Sequence, residues 1–167
     1  LYTGTAGKAG RPTQPADKEL APPQPTKSIP LPQSSGSPLL KRARQLANEG
    51  ALTDAEALYA LAIASGTSPH AFNVYGQFLL RVGRLAQAEA MFERLIKLSE
   101  SAGEKWKAVG HVGLGMIRRR RGDLPGAERF YSQALEINQR LNSKGHTAFI
   151  LGALGALSYE RGNPARA

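Results

Sequence analysis

The sequence predicts an all-α protein, an α-solenoid of antiparallel helix pairs behind a proline-rich linker, and three observations carry this. Eight of the eleven prolines lie in residues 1–38, so the remainder of the 167-residue chain is nearly free of the residue that breaks helices. From residue 37 onward, apolar residues recur at three- and four-residue intervals through successive blocks, and no block alternates as a strand would. Glycines at 50, 83, 122 and 162 punctuate the blocks at spacings of 33, 39 and 40 residues, which makes the pattern a repeat.

Residues 1–36 mix Pro with Gly, Ser, Thr and Gln and hold few large apolar side chains. Such a segment buries too little to offset the entropy of ordering, so a disordered, partly polyproline linker is expected. Pro12–Pro15 and Pro22–Pro25 each match P-x-x-P, the pattern that proline-recognising domains read, but a plain tether explains the composition as well.

Ser37-Pro38 opens a helix over 38–49, with a side-chain acceptor followed by a proline whose missing amide costs nothing in a first turn. Thr53 with Glu56 reads as a capping box for a helix over 53–66, and Ser68-Pro69 opens 69–82. Apolar periodicity between the glycines then predicts helices over 86–101, 104–121, 125–141 and 144–161. Asn163-Pro164 repeats the opening signal as the stub of an eighth. The folded part is expected to span 37–167 and to stop inside a fourth repeat. With Leu1 rather than Met at its start, the chain reads as a fragment of a longer protein.

Aligning the turn glycines Gly50, Gly83, Gly122 and Gly162 brings other residues into columns. Seven positions before each stands a small residue: Ala43, Gly76, Gly115 and Gly155. Five after stands alanine, at Ala55, Ala88, Ala127 and Ala167, and nine after stands an aromatic, at Tyr59, Phe92 and Tyr131. Small residues on one helix let its partner approach closely, and an aromatic fills the gap against the next pair. The column four before each glycine breaks this order. It holds Leu46 and Leu79 but then Arg118 and Ser158, so the third first-helix is expected to be rotated or loosely packed.

These columns resemble the tetratricopeptide repeat, a helix-turn-helix unit of about 34 residues, over residues 37–167. The longer spacings and the phrase Ala134-Leu-Glu-Ile-Asn-Gln-Arg-Leu141 are similar to repeats of kinesin light chains and of multidomain bacterial signalling proteins. The resemblance implies a scaffold that is not an enzyme, with a protein partner whose extended segment lies in a concave groove lined by the first helix of each pair. Translated onto this chain, the groove positions are Leu40, Arg44, Ala47 and Asn48, then Asn73, Gln77, Leu80 and Arg81. The third repeat gives Val112, Met116, Arg119 and Arg120, and the fourth Gly152, Ala156, Tyr159 and Glu160. Amides can serve any peptide backbone and arginines favour carboxylates, so an acidic segment is expected. The clamp by which some relatives hold a C-terminal carboxylate is lacking, since the matching positions are Leu40, Arg44, Val74, Val109 and Gly113.

Other functions find less support. The net charge of +9 divides into +2 in residues 1–36 and +7 in 37–167, where Glu49, Asp54, Glu56, Glu89, Glu93 and Glu128 are interspersed. Arg118 to Arg121 close a helix, where cations complement the macrodipole, and no aromatic-rich basic stripe favours nucleic acid. His70, His111 and His146 are far apart in sequence without neighbouring carboxylates, so neither a metal nor a catalytic base is expected, and no cofactor or small-molecule substrate. His111 is expected half-buried with a polar partner, and Trp106 as a packing residue. Gly110, Gly113, Gly152 and Gly155 are expected to let helices touch. A rival role is self-association, motivated by Phe149, Ile150, Leu151, Leu154 and Leu157, which no later helix covers. No membrane span is present in the sequence, and the absence of cysteine leaves the compartment open. A cytoplasmic setting is favoured, and a membrane-tethered or periplasmic one would require an upstream segment.

Overall fold

The computed structural model describes residues 37–66 and 68–162. The proline-rich linker, the stub at Pro164 and Ala167 lie outside them. Among the described residues seven helices follow one another: α1 (Pro38–Asn48), α2 (Leu52–Ala64), α3 (Pro69–Arg81), α4 (Leu85–Ala102), α5 (Glu104–Arg120), α6 (Leu124–Arg140) and α7 (Lys144–Glu160). All seven expected helices are present. Each packs on the next, and α3 also lies beside α1 and α5, so the first helices of consecutive pairs form one layer of an all-α repeat solenoid.

The helix ends explain the repeat of glycines. At Gly83 and Gly122, φ is 82° and 79°, a left-handed conformation that a Cβ would strain. Around them Arg84 N–H donates to the Leu79 carbonyl and Asp123 N–H to the Arg118 carbonyl, both at 2.9 Å, closing the last turns of α3 and α5. Asn142, with φ of 52°, takes the same role after α6, where Ser143 N–H reaches the Asn138 carbonyl.

The starts depart from expectation. Ser37 and Ser68 do occupy the cap positions before a proline, but neither hydroxyl makes a cap bond. The Thr53–Glu56 box is not formed: α2 begins at Leu52, which puts Thr53 already inside the helix, and Glu56 pairs with Arg84 instead. The side-chain cap of this kind lies at Asp123, whose Oδ1 accepts from Gly126 N–H at 2.9 Å.

The core follows the columns. Ala43, Ala55, Ala88, Ala127, Tyr59, Phe92 and Tyr131 are all buried. A Cβ on Gly76 would stand 2.9 Å from the Phe92 ring and one on Gly113 closer still, so a single ring fills the space between α3 and α5. Tyr131 bears the same relation to Gly115, at 2.7 Å, and Ile96 to Gly110, at 2.5 Å. Gly152 corrects the pattern, because a Cβ there meets nothing within 4 Å. Burying a ring such as Phe92 contributes roughly 1.5–3 kcal/mol relative to leaving it exposed. The break in the column does not rotate α5 relative to α3: Gly115 meets Tyr131 as Gly76 meets Phe92. Ile117 and Leu157, one residue before that column, fill the core as Phe78 does in α3, and Arg118 is half-exposed.

A charge ladder joins the pairs. Glu56, Glu89 and Glu128 each stand six residues after a turn glycine, and each takes arginines from the following turn. Arg84 pairs with Glu56, Arg118 and Arg121 with Glu89 at 2.8 and 2.6 Å, and Arg161 with Glu128.

Candidate functional site

α3, α5 and α7 run side by side in the layer of first helices, and their shared face forms a cavity of about 470 Å³. Seven of the predicted groove positions line it: Asn73, Gln77, Leu80 and Arg81 from α3, and Val112, Met116 and Arg120 from α5. The helical spacing that puts positions three and four apart on one face explains why these side chains converge. Gln77 Nε2 donates to Asn73 Oδ1 at 3.1 Å, which leaves the Asn73 amide hydrogens and the Gln77 carbonyl turned to other partners.

A second depression continues the face between α5 and α7. Met116, Arg119, Arg120, Gly152, Ala156 and Glu160 line it, and Tyr159, 71% exposed, stands on an adjoining hollow with Leu151 and Gly155. Across it Arg119 donates to Glu160 through both Nε, at 3.0 Å, and Nη2. That bond holds the Glu160 carboxyl below its usual range and the Arg119 guanidinium above its own. Arg119 is therefore already committed to a partner within the chain.

The first repeat contributes differently. Leu40 and Ala47 are buried in the core rather than on the groove. Arg44 and Asn48 are exposed and do not line the cavity, and Asn48 touches it through a 3.5 Å contact from Arg81 Nη1. Arg44 and Arg81 both act on Tyr59, whose phenol burial pushes up while the two cations pull it back.

Arginines at helix ends fall into two groups. Arg84, Arg118, Arg119, Arg121, Arg140 and Arg161 each meet a carboxylate. Among the described residues Arg81 and Arg120 do not. Arg120 Nη1 donates instead to the Leu80 carbonyl in the last turn of α3, and Arg81 lies 5.9 Å from the Phe78 ring centroid. Both face the cavity, where their remaining donors are available.

Several lining residues were not anticipated. Val109 and Phe149 stand one turn before the translated groove positions on the same helix face, so extending that face by three residues would have found them. Ala108, His146, Ile150 and the buried Asn138 complete the lining. Asn138 comes from α6 beneath the first-helix layer, which no groove offset addresses. Its Nδ2 donates to the Ala134 carbonyl at 2.9 Å.

Other expectations resolve away from this face. Trp106 packs against the core beside His70, as a packing residue should. His111 stacks on Phe130 with ring centroids 5.9 Å apart, but its buried Nδ1 has no hydrogen-bond partner, contrary to expectation. Burial, and then the nearby Lys107, holds its pKa down. Of the apolar side chains expected to be uncovered on α7, Ile150 and Leu157 are buried against α6, while Phe149 is 55% and Leu151 52% exposed. No helix among the described residues is long and apolar enough to cross a membrane.

Residues 106–167 match the family model of the tetratricopeptide repeat. No curated protein and no solved structure matches the chain. The match begins within α5, and the same small-residue, turn-glycine, alanine and aromatic columns continue through α1 to α4, where they pack as described. Over residues 106–167 the chain is thus similar to the tetratricopeptide repeat family, and the all-α helix pairs before them are consistent with that likeness.

Proposed function

We propose that this protein is a non-enzymatic interaction module that holds an extended, acidic segment of a partner protein along the face of α3, α5 and α7. Tetratricopeptide repeats are in general protein-interaction modules. The observation that carries the reading is the pair Arg81 and Arg120, which face a mostly apolar cavity and, among the described residues, have no carboxylate of their own. A forked guanidinium in that state favours an incoming carboxylate over a neutral group. The paired amides of Asn73 and Gln77 suit the backbone of an extended chain, and Arg44 and Asn48 would extend the track toward α1. Arg119 contributes through the wall it forms with Glu160, and Tyr159 flanks it.

Selection from a random peptide display library on the full chain tests this. Selected peptides should be enriched in Asp and Glu and should lose binding at least tenfold to the Arg81→Glu/Arg120→Glu variant. Selection of no peptide, or of peptides indifferent to that variant, would refute it.

Self-association is the second reading, favoured by the exposure of Phe149, Leu151 and Tyr159. Against head-to-tail stacking, the first turn has Glu49 and Ala51 beside Gly50, where later turns present an arginine to the pair before them. Sedimentation over a hundredfold concentration range decides it, and a constant monomer removes this alternative.

A further inference from the structure

We infer that the cavity between α3, α5 and α7 is also a site for a free small molecule, an amphipathic carboxylate with a compact apolar body. This goes beyond the peptide-groove proposal and does not depend on it. The volume of about 470 Å³ lies within the roughly 300–1,000 Å³ of small-ligand pockets. Its walls are laid out for such a molecule. Val109, Val112, Met116 and Phe149 supply apolar surface, and Arg81 and Arg120 supply positive charge.

Three features distinguish this cavity from an ordinary stretch of groove. It reaches through the first-helix layer to Asn138 on α6, so it has a floor as well as walls. Asn138 is 5% exposed and spends one amide hydrogen on Ala134, and its carbonyl has no partner among the described residues. That acceptor suits a ring N–H or hydroxyl on the body of a ligand. Lastly, the charge is balanced elsewhere along this layer: the neighbouring depression carries Arg119 together with Glu160, and an anion there would have to displace a carboxylate already in place. Among the described residues the Arg81 and Arg120 end has no competing carboxylate.

Indole-3-acetate is a fitting probe, with an apolar bicycle, a ring N–H and one carboxylate, and its neutral amide, indole-3-acetamide, is the control. The chain has two methionines, Met116 on the cavity wall and Met91 half-buried on α4. Methyl-detected NMR of the full chain therefore reads the site and an internal reference together. Indole-3-acetate should shift the Met116 methyl saturably, with a dissociation constant on the order of 0.1–1 mM for a probe of this size, and leave Met91 in place. The amide should bind at least fivefold more weakly, and Arg81→Gln should reduce the advantage of the acid while sparing affinity for the amide. No saturable Met116 shift up to about 10 mM, equal binding of acid and amide, or a response centred on Met91 would each overturn the inference. If display peptides bind and depend on Arg81 and Arg120 while the indole probe fails, the small-molecule site is refuted and the peptide groove stands. If the probe binds and no peptide is selected, the reverse holds.

Discussion

The Phe92 ring occupies the space that a side chain on Gly113 would need. Gly113 stands on α5 and Phe92 on α4, and the same ring also faces Gly76 on α3, so one aromatic sets how closely two first helices approach. Gly113→Ala therefore overpacks the core. It should cost about 1–3 kcal/mol in urea denaturation, although alanine is the better helix former by roughly 1 kcal/mol. Adding Phe92→Leu should recover part of the loss, a coupling that independent sites would not show. Gly152→Ala is the counterpart on α7, where a Cβ meets nothing, and it should stabilise by about 0.4–1 kcal/mol.

Glu89 accepts both Arg118 and Arg121 and is the most heavily used rung of the ladder. Glu89→Gln should destabilise by roughly 1 kcal/mol, discounted from a buried pair because all three side chains remain partly exposed. The difference from wild type should shrink in 1 M salt, where exposed charges are screened over about 3 Å. Equal losses at low and high salt would assign the effect to packing.

Glu160 gives a pH-dependent signature. Its carboxyl is lowered by the hydrogen bond from Arg119, so the folded chain binds that proton less readily than the unfolded chain. The resulting stability is present above the ordinary glutamate range and disappears as pH falls through the lowered folded value. Thermal melts of wild type and Glu160→Gln should differ at neutral pH and converge in acid. Curves that stay parallel would remove the ion pair as the cause.

His111 acts in a neighbouring pH range. Its folded pKa is lowered by burial, so its neutral form is native and its protonation opposes folding as pH drops below about 6.5. His111→Leu also removes the orphaned Nδ1 and should stabilise by roughly 1 kcal/mol at pH 7.5. The advantage should grow on going to pH 5. A variant less stable than wild type at both values would show that the stack on Phe130 outweighs the unpaired nitrogen.

The parts of this molecule that sequence expresses best are those that repeat. Ala55, Tyr59 and Gly83 belong to columns, and a column tests itself against its own recurrence. What escaped lies off that period or between repeats. Asp123 caps α6 once and Asn142 replaces a glycine once, so neither has a counterpart to align. Asn138 joins the cavity from a second helix, a neighbour in space that no offset along a first helix can name. Thr53 and Glu56 fit a capping pattern locally, yet Glu56 is held by Arg84 from the next pair, and a contact across 28 residues prevails over one across three. The glutamate ladder itself was legible, since Glu56, Glu89 and Glu128 share one offset from the turn glycines. Its meaning depended on the arginines opposite, whose offsets vary from turn to turn.

That ladder bears on mechanics. Apolar packing holds each helix to the next throughout, but the charged rungs run only from the second helix of one pair to the turn of the following pair, on the margin of each junction. Loosening them would let consecutive pairs splay like the leaves of a spring while every helix stayed intact. The curvature of the array, and with it the width of the face that receives a ligand, would then respond to ionic strength before any unfolding began.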